Sequence, residues 1–107
     1  MKSFPVIYRP TALEDLQAIY SYVLEISRDP VTARRYTDRI FDKCETIGLA
    51  PYGYTERNDL AEGIRLMPFE KSAVIFYILE KETVCITNIF AGGRDYEAFF
   101  RHTEGTP

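Results

Sequence analysis

Three arginines in the second half of this 107-residue chain, Arg57, Arg65 and Arg94, together with Tyr96 and His102, are the side chains best suited to chemistry. Guanidinium groups stabilise an anionic transition state, and a phenol or an imidazole can carry protons in general acid–base catalysis. Arg65 and Arg94 would meet on one face of a sheet if the segments around them are strands. Each residue also has a blander reading. Arg65 is equally a solvated strand residue, and Asp95 beside Arg94 is equally a structural salt-bridge partner. His102 sits in the terminal stretch, where side chains are ordinarily solvated. The only other basic residues in the strand-forming region are Lys71 and Lys81, both at turn-like positions.

Bulk composition limits what such residues can serve. A net charge of -3 and a pI near 5.1 give a global field that repels a polyanion, so a protein partner is favoured over direct nucleic-acid binding. With 46% hydrophobic residues the chain has enough apolar surface for one domain spanning 1–107. Cys44 and Cys85 lack C-x-x-C spacing and fall in apolar-periodic segments, which marks them as reduced core residues. No metal or cofactor is expected. There is no apolar run long enough to span a bilayer, and Pro5, Tyr8 and Arg9 interrupt any signal-peptide core, so a cytoplasmic location is expected.

The elements that must position these residues follow from periodicity. Phe4 to Tyr8 reads as a strand stopped by Pro10. Thr11 and Glu14 have the spacing of a capping box ahead of a helix from about Ala12 to Ser27, with Leu13, Leu16, Ile19, Tyr20, Val23 and Leu24 or Ile26 on its apolar stripe. Asp29 and Pro30 open a second helix with Ala33, Tyr36, Ile40, Cys44 and Ile47 on one face, ended by Gly48 and Pro51. The short connection makes an antiparallel helical hairpin. Residues 51–63 read as loop. Ile64 to Phe69, Ala73 to Leu79 and Thr83 to Phe90 read as strands. The uninterrupted apolar run at Ala73 to Leu79 suits a central position, and Pro68 must lie near an edge or strand end. Arg94 to Arg101 is a short strand or helix, and 103–107 a loose tail. The order β-α-α-β-β-β argues for an α+β fold with the hairpin packed on an antiparallel sheet.

That order, and five stretches along it, resemble the ParE/RelE toxin superfamily. Tyr8 to Tyr22 contains A-x-x-D-L followed by I-x-x-Y. Asp29 to Ala33 reads D-P-x-x-A, and Ala50 to Arg57 is similar to the family's pattern after the hairpin. Gly63 to Phe69 and Ile75 to Tyr77 fit its strand pair, and Val84 to Asp95 resembles the closing strand with its G-x-R-D ending. Many relatives carry a His where this chain has Phe90 or Ala91, so no role of that His transfers.

The resemblance implies a toxin of a type II toxin–antitoxin system, held inactive by a cognate antitoxin that is ParD-like or another DNA-binding antitoxin. The antitoxin's disordered tail would fold over the hairpin and the sheet edge, using the groove between them. Within the superfamily, ParE-like members are plasmid-stabilisation toxins that inhibit DNA gyrase, and RelE-like members are ribosome-dependent mRNA endoribonucleases. The acidic pI and the sparse cations favour the ParE-like activity. Arg65, Arg94, Asp95 and Tyr96 are then the surface facing target or antitoxin. In the RelE-like alternative Arg57, Arg65, Arg94 and Tyr96 are the catalytic set. A third possibility is a member that retains only antitoxin binding.

Overall fold

Pro10 sets the first junction of the fold. In the computed structural model, which describes residues 3–92 and 96–104 with side chains through residue 100, strand β1 (Val6–Tyr8) runs almost directly into helix α1 (Pro10–Ser27). Proline is favoured in a first helical turn, where its missing N–H has no partner to lose. The helix therefore starts ahead of the expected Ala12, and the expected capping box is not formed. Arg9 is the N-cap, and no side chain caps the helix. The Thr11 hydroxyl instead donates to the Thr87 carbonyl at 2.6 Å, binding the helix to a strand far along the chain.

Helix α2 (Pro30–Ile47) starts as its sequence requires. The Asp29 carboxylate accepts from the Thr32 hydroxyl at 2.6 Å and the Val31 N–H at 3.1 Å. Those two bonds, the Thr32 one first, hold its carboxyl below the ordinary value. Ala33, Ile40, Cys44 and Ile47 are all buried, as the periodicity predicts. On α1 the buried face is narrower than expected. Ala12, Leu16 and Ile19 are buried and Val23 packs against them, whereas Leu13 and Ile26 are 48% and 64% exposed. Leu13 follows Ala12 by one residue, about 100° around the helix, so it cannot share that face.

The two helices lie on one face of a five-stranded sheet of order β1-β5-β4-β3-β2. Strands β3 (Arg65–Phe69), β4 (Ala73–Glu80) and β5 (Thr83–Ala91) form the expected antiparallel meander. Strand β1 pairs with β5 in parallel, so the sheet is mixed rather than wholly antiparallel. Strand β1 is also shorter than Phe4 to Tyr8, because the Phe4 N–H bonds to the Gly48 carbonyl at the end of α2, at 2.8 Å. Strand β2 (Thr55–Glu56) interrupts the expected loop and pairs with the start of β3. Pro68 lies past the end of β2, where its missing N–H removes nothing from a ladder. The terminal segment is helix α3 (Tyr96–Glu104). Thr103 and Glu104, expected in a loose tail, belong to it, and residues 105–107 lie outside the described residues.

Burial on both faces of β4 explains its unbroken apolar run. Ala73, Ile75 and Tyr77 join the hairpin core with Ile40, Cys44, Ile86 and Ile89. Phe76 faces the other way into a smaller core with Leu60, Ile64, Phe90 and Phe100, the last supplied by α3. Burial raises the Cys44 thiol to about 12, with the Glu45 carboxylate adding to it, so this cysteine stays a neutral core residue.

Candidate partner-binding site

Arg65 opens β3 on the hairpin side of the sheet, the side taken by Met67 two residues on. Its guanidinium is only 17% exposed and points at nearby backbone. It donates to the Tyr54 carbonyl at 2.8 Å, lies 5.6 Å from the centre of the Tyr52 ring, and has Glu56 at 3.8 Å. Arg65 thus fastens the α2–β2 loop to the sheet. Tyr77 assists from β4, its hydroxyl donating to the Pro51 carbonyl at 2.8 Å.

Arg57 is one residue beyond Glu56, the partner of Arg65 across β2 and β3, so it takes the opposite face. It makes a two-pronged pair with Asp59 at 2.8 and 2.7 Å. The Asp59 pairing raises the Arg57 pKa and lowers that of the Asp59 carboxyl. Tyr96, at the start of α3, lies near enough to add to the effect on Arg57. The structure therefore brings Arg57 and Tyr96 together and separates both from Arg65. Arg94 and Asp95 lie outside the described residues, and His102 falls within α3.

A different place in the molecule has the shape of a binding site. Strand β1 covers only the first half of β5, from Val84 to Ile86. Beyond it, α1 runs along the β5 edge and supplies side chains where a strand would supply backbone. The backbone N–H of Arg9, just ahead of α1, donates to the Ile86 carbonyl at 2.9 Å; from α1 itself the Thr11 hydroxyl donates to the Thr87 carbonyl, and the Asp15 carboxylate accepts from the Ile89 N–H at 2.9 Å. Past Asp15 the two elements diverge and leave a groove. One hollow of about 300 Å³ lies between Asp15, Ala18, Ile19 and Tyr22 of α1 and Ile89, Ala91 and Gly92. A second, of about 500 Å³, continues across Val23 and Tyr36 to Lys71 and Ser72 in the β3–β4 turn.

That turn is built to stay put. Glu70 and Lys71 both take positive φ, of 48° and 58°, the geometry that a two-residue hairpin turn requires. Arg39 of α2 grips Glu70 through two bonds of 2.9 and 3.0 Å, and the Tyr36 and Ser72 hydroxyls meet at 2.7 Å. The Arg39 pairing keeps the Glu70 carboxyl below its usual value. Lys71 is left exposed at the rim of the groove and has no ion pair among the described residues. By sequence alone Lys71 is a turn residue with no evident role. Its significance depends on Gly92 and Tyr22 lying nearby, which local sequence does not reveal.

Among the described residues no helix is long and apolar enough to cross a membrane, and no cluster of His, Cys, Asp and Glu could hold a metal ion. The family described as ParE toxin of type II toxin-antitoxin system, parDE, matches residues 6–96. Among solved structures, one described as the chromosomal ParDE TA system from P. aeruginosa is similar, with a TM-score of 0.73 at 17% sequence identity. That match covers 83% of this chain and 96% of the other. At such an identity the likeness speaks for the fold. No curated protein matches the chain at a significant level.

Proposed function

The chain belongs to the ParE toxin family of type II toxin–antitoxin systems, and we propose that it acts by binding and inhibiting DNA gyrase in the cytoplasm, neutralised by a cognate antitoxin. The observation that carries the binding reading is the state of the arginines. Arg57 and Arg65 lie on opposite faces of the sheet, each held by partners of its own. A phosphorane-stabilising cluster needs cations converging on one point, free to meet developing charge. The acidic pI of about 5.1 works against a polyanionic substrate in the same direction.

The RelE-like alternative draws on the Arg57–Tyr96 pair, a cation beside a phenol, with Arg94 as a second cation. Expression of the chain in growing cells separates the two. Gyrase poisoning gives growth arrest with broken chromosomal DNA and intact messages, reversed by co-expressed antitoxin. Global cleavage of messages with intact DNA would overturn the gyrase reading. Arg94→Ala is expected to leave the domain folded and weaken the arrest, and unchanged toxicity would remove Arg94 from the target surface.

A further inference from the structure

Leu49 and Tyr52, both 67% exposed, are the most exposed large apolar side chains among the described residues. Single exposed apolar residues are ordinary on a protein surface. What distinguishes this pair is the backbone that carries it, residues 48–54, which join α2 to β2. A connecting loop is usually mobile, yet this one is bonded along its length. The N–H groups of Leu49, Ala50 and Gly53 donate to the carbonyls of Thr46, Ile47 and Ala50 at 3.1, 3.1 and 3.0 Å. The Pro51 and Tyr54 carbonyls are taken by Tyr77 and Arg65, and Pro51 itself is buried. A Cβ on Gly53 would stand 3.3 Å from the Ala50 carbonyl oxygen, so the turn is drawn tight. The Tyr52 ring is held too, edge-on against Phe4 at 5.9 Å and beside the Arg65 guanidinium.

We propose that Leu49 and Tyr52 are the anchors by which the toxin grips its target, entering an apolar hollow on the protein surface of gyrase. This rests on the gyrase reading above and names the surface that serves it. Tyr is among the residue types that carry binding energy, and an anchor fixed before contact loses little entropy on docking. The occupant is protein rather than the DNA that gyrase holds. The cation beside Tyr52 is Arg65, already engaged by the Tyr54 carbonyl and Glu56, which leaves nothing there for a phosphate. The anchors also lie apart from the groove. Tyr36 lines the groove from the first half of α2, and roughly 16 Å of helix runs from it to Ile47, where the loop begins. Target binding and antitoxin binding are therefore separable by mutation.

The test measures gyrase supercoiling and antitoxin binding with the same purified chains. Leu49→Ser and Tyr52→Ala are each expected to raise the concentration needed to inhibit supercoiling by about tenfold or more, with antitoxin affinity unchanged. Leu49→Ser is expected to keep the parent chain's unfolding midpoint as well, since Leu49 is exposed. Tyr52→Phe, which keeps the ring, is expected to inhibit as the parent does. Full inhibition by both disruptive variants overturns the loop as the target surface and leaves the gyrase reading standing. If Leu49→Ser then also dissolves a dimer of the parent chain, the occupant is a second copy. Retention of relaxed plasmid without gyrase, lost in Tyr52→Ala, would make the occupant DNA and likewise overturn the proposal. Loss of antitoxin binding together with inhibition overturns it too, by placing the pair in the framework or the antitoxin contact. A parent chain that leaves supercoiling untouched overturns the gyrase reading and this proposal with it.

Discussion

The two edges of the sheet are finished in opposite ways. At the β2–β3 edge, side chains turn inward to bind the chain's own loops, Arg65 to the Tyr54 carbonyl and Arg57 to Asp59, and Tyr77 of the neighbouring β4 reaches the Pro51 carbonyl. At the β5 edge, side chains of α1 stand in for a missing strand and stop short, leaving backbone exposed in an apolar groove. The contrast teaches that a strongly polar residue is a poor guide to a binding site when its polarity is already satisfied. Of the arginines that stand out in the sequence, the two among the described residues, Arg57 and Arg65, are both engaged by neighbouring groups of the chain. The groove that can take a partner is built from Ile19, Tyr22, Ala91 and Gly92, most of which carry no chemical signal.

If Arg65 is a fastener, its removal must be felt in stability. Arg65→Ala should cost about 2–3 kcal/mol, from the lost charge-assisted hydrogen bond and the ring contact, measured by chemical denaturation. A neutral effect would break the comparison, because it would free Arg65 for a target. Gly48→Ala acts on the other edge. A Cβ there would stand 2.4 Å from the Phe4 carbonyl oxygen, so the segment leading into β1 must shift. A loss of about 2 kcal/mol is expected, with faster amide exchange along the paired half of β5.

Tyr77→Phe should cost about 1 kcal/mol by leaving the Pro51 carbonyl without its donor. Burial keeps Tyr77 neutral in the fold and raises it from 10.0 to about 12. The native state then holds a proton that the unfolded chain releases first, so stability contributed by Tyr77 is whole below pH 10 and falls as pH rises toward 12. Tyr77→Phe should flatten that part of the alkaline profile. The smallest effect belongs to Lys71→Ala. With no ion pair to lose among the described residues, it should change stability by less than about 0.5 kcal/mol. A larger loss would move Lys71 from the binding rim into the framework.

Features set by neighbouring residues were legible in the sequence. Asp29 and Pro30 announce the start of α2, the spacing from Ala33 to Ile47 gives its buried face, and the apolar run from Ala73 marks the doubly covered strand. Features set by distant contacts were not. Thr11 has the spacing of a capping residue, yet its hydroxyl is taken by a carbonyl 76 positions away. Two-residue β2 is too short to show alternation, and it forms because β3 offers it an edge. The parallel pairing of β1 depends on where the hairpin returns the chain. For the site, sequence identified residue types able to do chemistry but could not tell an engaged arginine from a free one. The hairpin–sheet groove itself, expected from the resemblance, is present with Tyr22 at its wall, 56% exposed.

The central claim is that this fold works as a binding inhibitor, and purified DNA gyrase supercoiling relaxed plasmid in the presence of the folded chain tests it most directly. The account predicts loss of supercoiling with accumulation of cleaved DNA, abolished by stoichiometric antitoxin. Undiminished supercoiling in the presence of a preparation that arrests growth would contradict it.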